Sequence, residues 1–103
     1  MVSFSETKII PKPKKAVFNA VKEALQSIGA DIRTVNEKKG IIGAGVGVSV
    51  WSWGENIAIK VVAEGSRTKV LIRSESKFAL IDWGKNKNNV VKFWRNLRIG
   101  LRK

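Results

Sequence analysis

The sequence contains no cysteine, no histidine and no tyrosine. Without cysteine there is neither a disulfide nor thiol chemistry, and without histidine the usual zinc ligands and the Ser-His-Asp and Cys-His triads are excluded. The eight acidic residues are scattered along the chain. Their spacing builds neither an EF-hand loop nor a pair of carboxylates for acid–base catalysis. We therefore expect a protein that is not an enzyme and that uses no metal or cofactor.

Long hydrophobic segments are also missing. The longest apolar run, from Ile41 to Trp51, is interrupted by glycine and serine and is much shorter than the ~20 residues that span a bilayer. The opening residues, MVSFSETKII, are too polar for a secretory leader. No linker or low-complexity tract divides the chain. These features predict one domain over residues 1–103, no transmembrane segment and a cytoplasmic location.

Positive charge, in contrast, is abundant. Twenty lysines and arginines stand against eight acidic residues, which gives a net charge of +12. After Asp82 the sequence has no acidic residue, whereas lysine and arginine continue to the last position. A field of this sign favours an anionic partner, either nucleic acid or an acidic lipid surface. The alternative is that the charge only keeps the protein soluble.

The amino-terminal third of the chain predicts a strand, a helix and a second strand. Val2 to Ile10 has the composition of a strand, and Pro11 and Pro13 end it and start a helix. Gly29 suits the left-handed position that follows a helix, and Ala30 to Asn36 predicts the next strand. Between the prolines and Gly29, apolar residues recur at helical spacing along one stripe: Val17, Val21, Ala24, Leu25 and Ile28.

The clearest local pattern is a β-hairpin. Apolar residues alternate along residues 57–64 and again along residues 67–76, and Gly65 and Ser66 form a two-residue turn between them. Such a turn fixes the register, which places Val61 opposite Val70. In this register the apolar residues of both strands share one face of the sheet.

The segment IIGAGVGVSVWSWGEN, from Ile41 to Asn56, is rich in glycine. It does not match a dinucleotide-binding fingerprint, because Val48 replaces the third glycine and a strand-like sequence follows. We instead predict a strand in which the glycines share one face with Ser49, Trp51 and Trp53. Glycine in a strand favours a sharp bend of the sheet or the close approach of a ligand or second subunit. The opposite face of this strand is apolar: Ile42, Ala44, Val46, Val48 and Val50.

The last segment, from Asn88 to Leu101, predicts an amphipathic helix that Asn86 or Asn88 caps. Its apolar stripe consists of Val90, Trp94, Leu97 and Leu101. Its opposite side is basic and consists of Lys92, Arg95, Arg98 and Arg102.

The element order β-α-β-β-β-β-α predicts an α+β, two-layer fold in which both helices pack on one face of a curved antiparallel sheet. The motifs S-W-G-E-N-I (Ser52 to Ile57) and I-D-W-G-K-N-x-x-N-V (Ile81 to Val90) precede the last strands and the last helix. In this order and these motifs the chain resembles small uncharacterised bacterial domains. They are similar to helix-grip modules such as the C-terminal domains of an outer-membrane assembly lipoprotein. The resemblance implies a curved sheet that grips the last helix, and it implies no catalytic residues.

Two basic patches are candidate anion-binding sites. The first is the last helix, with Lys92, Arg95, Arg98 and Arg102. The second is the outer face of the sheet, with Lys60, Lys69 and Arg73. A third group, Trp51, Trp53 and Trp83, is a candidate aromatic surface or pocket, since such rings stack on bases or on lipid headgroups. The alternative is that these rings only anchor turns.

From these observations we predict a small, basic, non-catalytic binding module that contacts an anionic partner, either nucleic acid or an acidic lipid surface. Two alternatives stay open. One is a structural protein that self-associates, or binds another protein, through the outer face of its sheet. The other is a carrier of a small apolar ligand between the sheet and the carboxy-terminal helix.

Overall fold

A computed structural model describes residues 2–47, 54–76 and 84–102 of the chain. Its elements follow the predicted order: β1 (Val2–Ile10), α1 (Lys14–Ser27), β2 (Asp31–Asn36), β3 (Ile41–Val46), β4 (Glu55–Glu64), β5 (Arg67–Ser76) and α2 (Lys85–Leu101).

The strands form one antiparallel sheet with the order β1-β5-β4-β3-β2. Strands β2 to β5 form a meander, and β1 pairs with β5 at the far side. The edge strand β2 shifts its register between Ile32 and Thr34, which is the mark of a bulge. The predicted α+β fold with a curved antiparallel sheet is confirmed.

The register of the β4–β5 hairpin agrees with the prediction. Val61 lies opposite Val70, and Ile59 lies opposite Ile72. All four side chains are buried on the face that the helices cover. The turn residue Gly65 has a φ of 64°, a left-handed conformation that glycine adopts without steric cost.

The glycines of β3 make room for side chains of the neighbouring strand. A Cβ atom at Gly45 would lie 2.6 Å from the guanidinium carbon of Arg33, and one at Gly43 would lie 3.4 Å from Cβ of Thr34. These contacts come from β2 of the same sheet and not from a ligand or a second subunit, whereas the sheet is curved, as the other predicted reason for glycine requires. Strand β3 ends at Val46, so Gly47, which we predicted within the strand, follows its end with a φ of 70°. The rest of the predicted strand, residues 48–53, lies outside the described residues.

Helix α1 buries four residues of the predicted stripe, Val17, Val21, Ala24 and Leu25, and also Phe18 and Ala20. The fifth stripe residue, Ile28, follows the last helical residue and is only partly buried. Pro13 occupies the position before the first helical residue and Gly29 follows the end with a φ of 80°. Phe18 is fully buried, so the apolar face of α1 is wider than the one-stripe pattern predicted.

Helix α2 begins at Lys85, three residues before the predicted start, and is preceded by Gly84 with a φ of 78°. The predicted asparagine cap is wrong, because no side chain caps this helix. Asn86 is instead fully buried in the first turn. The Ser74 hydroxyl donates to its Oδ1 at 2.7 Å, while its Nδ2 donates to the Val2 carbonyl and to Ser76 Oγ, each at 3.1 Å.

Both helices pack on the same face of the sheet, α2 over β1 and β5 and α1 over β2 and β4. They also contact each other, where Gly100 comes close to Ala20. The space between the layers is filled by fully buried side chains, of which Phe18 and Phe93 are the largest.

Candidate functional site

The outer side of α2 is a basic surface, and we call it the α2 face: Lys92, Arg95, Arg98 and Arg102. All four side chains are exposed, since they lie opposite the buried residues Val90, Phe93 and Leu97. Helix α2 contains no acidic residue that could neutralise them through an i,i+4 pair. Basic residues near the end of a helix are also stabilised by its dipole.

Two apolar side chains interrupt the α2 face. Val91 is 42% exposed and Ile99 is 47% exposed. They lie among the cations of the α2 face along the same helix. The surface that α2 presents to solvent is therefore amphiphilic rather than uniformly charged.

A groove of about 310 Å³ runs between the end of β1 and the carboxy-terminal half of α2. Its floor is apolar and consists of Ile10, Pro11, Trp94, Leu97 and Leu101. Its rim carries four cations: Lys8, Lys12, Arg98 and Arg102. The groove thus shares Arg98 and Arg102 with the α2 face, so the two features form one continuous surface.

Trp94 is held in the groove floor by polar and cationic contacts. Its side chain is 8% exposed, and its indole Nε1–H donates to Glu6 Oε1 at 2.8 Å. Lys8 Nζ lies 5.0 Å from the centre of the indole ring, within the range of a cation–π contact. The ring is therefore fixed on its polar edge and on one face.

A buried hydroxyl holds the other wall of the groove. Thr68 on β5 is fully buried, and its hydroxyl donates to the backbone carbonyl of Lys12 at 2.7 Å. This hydrogen bond fixes the chain as it leaves β1 and places Lys12 at the rim. The floor of the groove and the backbone at Lys12 are consequently held in place, while the rim consists of exposed cationic side chains.

The second predicted patch lies on the opposite side of the sheet. Lys60 and Arg73 are exposed there and Lys69 is half-buried. Carboxylates neutralise two of these cations: Lys69 Nζ lies 3.3 Å from Glu64 Oε2, and Arg73 Nη2 lies 3.3 Å from Glu75 Oε2. The structure thus separates the seven predicted anion-binding residues into two sets, and the set on α2 keeps the larger net charge.

The predicted aromatic residues, Trp51, Trp53 and Trp83, lie outside the described residues. Among residues 2–47, 54–76 and 84–102, no cluster of three or more acidic side chains could hold a metal ion. Within the same ranges, neither helix is sufficiently long and apolar to cross a membrane.

Sequence reasoning gave a site for an apolar ligand between the sheet and the last helix as an alternative, but it missed the residues of the β1 wall, because the two walls of the groove come from opposite ends of the chain. One signal was present. Lys8 follows Phe4 at an even spacing in β1, so the alternation that turns Phe4 towards the helices turns Lys8 the same way. An inward lysine on an edge strand is a recognised protection against pairing with another chain. Here it also supplies charge to the rim of the groove.

No family model matches the chain, and no curated protein matches it. Solved structures do resemble it over nearly its whole length. The Aha1 dimer from Colwellia psychrerythraea gives a TM-score of 0.69 at 14% identity, covering 98% of this chain and 96% of that one. An uncharacterised protein from Bacillus thuringiensis gives 0.64 at 8% identity, covering 97% and 96%. Ara h 8.0201 gives 0.58 at 14% identity, covering 97% and 94%.

At identities this low the likeness concerns the fold alone. The described strands and helices form one antiparallel sheet with both helices on one face, and TM-scores of 0.58 to 0.69 show that these structures share this fold. The chain therefore has a helix-grip-like fold, as small uncharacterised bacterial proteins do.

Proposed function

We propose that this chain is a non-catalytic binding module that docks on an acidic lipid surface through the α2 face. The observation that supports the proposal is the α2 face itself, with four exposed cations on a helix without acidic residues and with Val91 and Ile99 exposed among them. Each lysine or arginine near an anionic membrane contributes about 1 kcal/mol. The two apolar side chains reach the interfacial layer when the helix lies flat on it.

An acidic lipid surface fits this face better than a nucleic acid. Proteins that bind single strands without sequence preference combine a basic groove with aromatic rings on which bases stack. Among the described residues, the aromatic side chain that lines the groove beside Arg98 and Arg102 is Trp94, which is 8% exposed and is held by Glu6 and Lys8. Its ring is therefore committed to the groove floor. The apolar Val91 and Ile99 contribute nothing to phosphate binding, whereas they suit a lipid interface.

The test is cosedimentation with phosphatidylcholine vesicles, with and without phosphatidylglycerol, across a salt series. We expect binding only to the anionic vesicles, with affinity that falls as salt screens the charges. The double variant Lys92→Gln/Arg95→Gln should weaken binding about 10- to 30-fold, since two cations are lost.

The matched control is Lys38→Gln/Lys39→Gln, which removes the same charge from the exposed turn between β2 and β3. It should weaken vesicle binding less than about 3-fold, because these lysines are not on the α2 face. Any one of three results would overturn the proposal. The two double variants could weaken vesicle binding equally, the protein could bind neutral and anionic vesicles equally, or it could bind a random single-stranded oligonucleotide more tightly than anionic vesicles.

Self-association through the outer face of the sheet is the second candidate. Ile41 is 39% exposed at the end of β3, beside Lys60 of β4, and the similar Aha1 structure is a dimer. Light scattering decides this candidate: we expect a monomer for a membrane-docking module, and a dimer that Ile41→Lys dissociates would favour self-association instead.

The cytoplasmic location and the resemblance to lipoprotein domains stay predictions.

A further inference from the structure

The groove between β1 and α2 has an apolar floor and a cationic rim, and this combination matches one class of small molecule. We propose that it binds a single-chain amphiphile with an acidic headgroup, such as a fatty acid. The acyl chain lies along Ile10, Trp94 and Leu101, and the headgroup meets the rim cations. This inference deepens the proposed function, on which it rests, by giving the lipid-facing side of the molecule a discrete site for one lipid chain.

The floor is built in advance of any ligand. Leu97 is 1% exposed and anchored in the core, while the Glu6 hydrogen bond and the Lys8 contact fix the indole of Trp94. Ile10 and Leu101 are partly buried against the same core. A preformed apolar site binds more tightly because little side-chain entropy is lost on binding.

The rim selects an anionic headgroup. Arg98 and Arg102 lie one helical turn apart on α2, and each guanidinium presents a planar fork of donors that suits a carboxylate or phosphate. Two lysines face these arginines across the groove: Lys8 belongs to β1, and Lys12 lies two residues after its end. Glu6, on the same side of β1 as Lys8, already accepts the Trp94 indole N–H.

The size and charge of the groove favour one small molecule over a protein. Its volume of about 310 Å³ is at the lower end of the range of ~300–1,000 Å³ for small-molecule sites. A second copy of the chain also carries a net charge of +12, and like charges repel. The inward Lys8 also disfavours addition of a further strand at the β1 edge.

The direct test is calorimetric titration of the full chain with decanoate below its micellar concentration, beside the neutral decyl maltoside. We expect saturable, one-to-one binding of decanoate that is at least about 10-fold tighter than that of the maltoside, since the rim cations recognise charge. Replacing decanoate by octanoate or dodecanoate should change the Kd about tenfold per two carbons. The Trp94 indole N–H resonance, assigned with Trp94→Phe, should shift during the titration.

Two double variants separate this site from membrane docking. Lys8→Gln/Lys12→Gln alters the rim without touching Lys92 or Arg95, so it should weaken decanoate binding at least 5-fold, on the order of 1 kcal/mol. It should weaken vesicle binding less than about 3-fold, the limit expected for the Lys38/Lys39 control. Lys92→Gln/Arg95→Gln should weaken vesicle binding and leave decanoate binding nearly unchanged, because neither residue lines the groove. Circular dichroism confirms that both variants fold.

The outcomes are distinguishable. The amphiphile site is refuted, and membrane docking stands, if the protein binds anionic vesicles but fails any of three decanoate tests. These failures are decanoate binding that does not saturate, that is no tighter than decyl maltoside binding, or that the Lys8→Gln/Lys12→Gln variant does not weaken. If decanoate binds as described but vesicles do not, membrane docking is refuted and the groove serves a soluble ligand.

Discussion

Gly40 and Gly65 have nearly the same backbone conformation, with φ of 70° and 64°, in different surroundings. The carbonyl of Gly40 accepts a hydrogen bond from the Val61 N–H at 2.7 Å, and a Cβ atom at Gly40 would overlap the Val61 carbonyl oxygen. Nothing lies within 4 Å of a Cβ atom at Gly65. One glycine is therefore required by conformation and contact together, the other by conformation alone.

This difference predicts unequal losses of stability. Gly65→Ala should lower the free energy of unfolding by about 1 kcal/mol, the cost of a left-handed alanine. Gly40→Ala should lower it by about 3 kcal/mol or more, because the overlap with Val61 adds a packing penalty of ~1–3 kcal/mol. Urea denaturation of the two variants measures both values. Equal losses would mean that the strand next to Gly40 moves aside without cost.

At the scale of elements, helix α2 is attached to the sheet by a buried polar cluster at its first turns. Asn86 bonds to Ser74 and Ser76 of β5, while Asn89 Nδ2 donates to Ser74 Oγ and to Glu55 Oε1, each at 3.2 Å. Buried polar groups of this kind have few alternative partners, so they specify one position for the helix along the sheet.

Removing the central amide of this cluster should be costly. Asn86→Ala leaves the Ser74 hydroxyl and the Val2 carbonyl without these bonds in a buried place, which should lower the free energy of unfolding by about 2–4 kcal/mol. The control Asn88→Ala, at an exposed position two residues later, should change it by less than ~0.5 kcal/mol. Thermal or urea unfolding of both variants checks this. A loss at Asn86 no larger than at Asn88 would contradict the anchoring role.

The sequence predicted those elements whose constraints are local. The two-residue turn at Gly65–Ser66 sets the hairpin register by itself, and the alternation of β4 and β5 then places Val61 and Val70 correctly. Asn86 failed as a predicted cap because its partners, Ser74 and Ser76, belong to another element. A polar residue near a helix start suits a cap in the absence of tertiary contacts.

The sequence predicted the exposed cations of the α2 face but not the residues that line the groove. Spacing along α2 gave its exposed cations, since a helix places residues three and four apart on one side. The groove could not be read in the same way, because Lys12 and Arg98 are brought together only when β1 has paired with β5 under α2. The side-chain partners of Lys69 and Arg73, which neutralise the outer sheet patch, likewise depend on which rotamers reach the carboxylates.

For the molecule as a whole, the sheet separates two basic surfaces of different strength. The outer surface pairs Lys69 with Glu64 and Arg73 with Glu75, whereas the α2 face has no acidic residue of its own helix. If the α2 face docks as proposed, the protein, with its net charge of +12, meets an anionic surface with α2 foremost, because the cations of this face have no carboxylate on their own helix.

The place of β1 in the sheet has a consequence for the order of folding. Strands β2 to β5 pair with neighbours in sequence, but β1 must join β5 across the intervening α1 and β2 to β4, with Val2 opposite Ser76. Closing so long a loop costs entropy before any contact is gained. Stopped-flow measurements should therefore give a low folding φ-value, about 0–0.3, for Phe4→Ala in β1 and a higher one, about 0.5–0.8, for Val61→Ala in the hairpin.

Equal values for the two variants would show that β1 already belongs to the folding nucleus. If instead β1 joins the sheet last, Lys8 and Ile10 are placed at the same step, and the β1 wall of the groove forms only then. Partly folded chains would then display the cations of α2 but possess no cleft for a lipid tail, so capture of a ligand would report that the chain has finished folding.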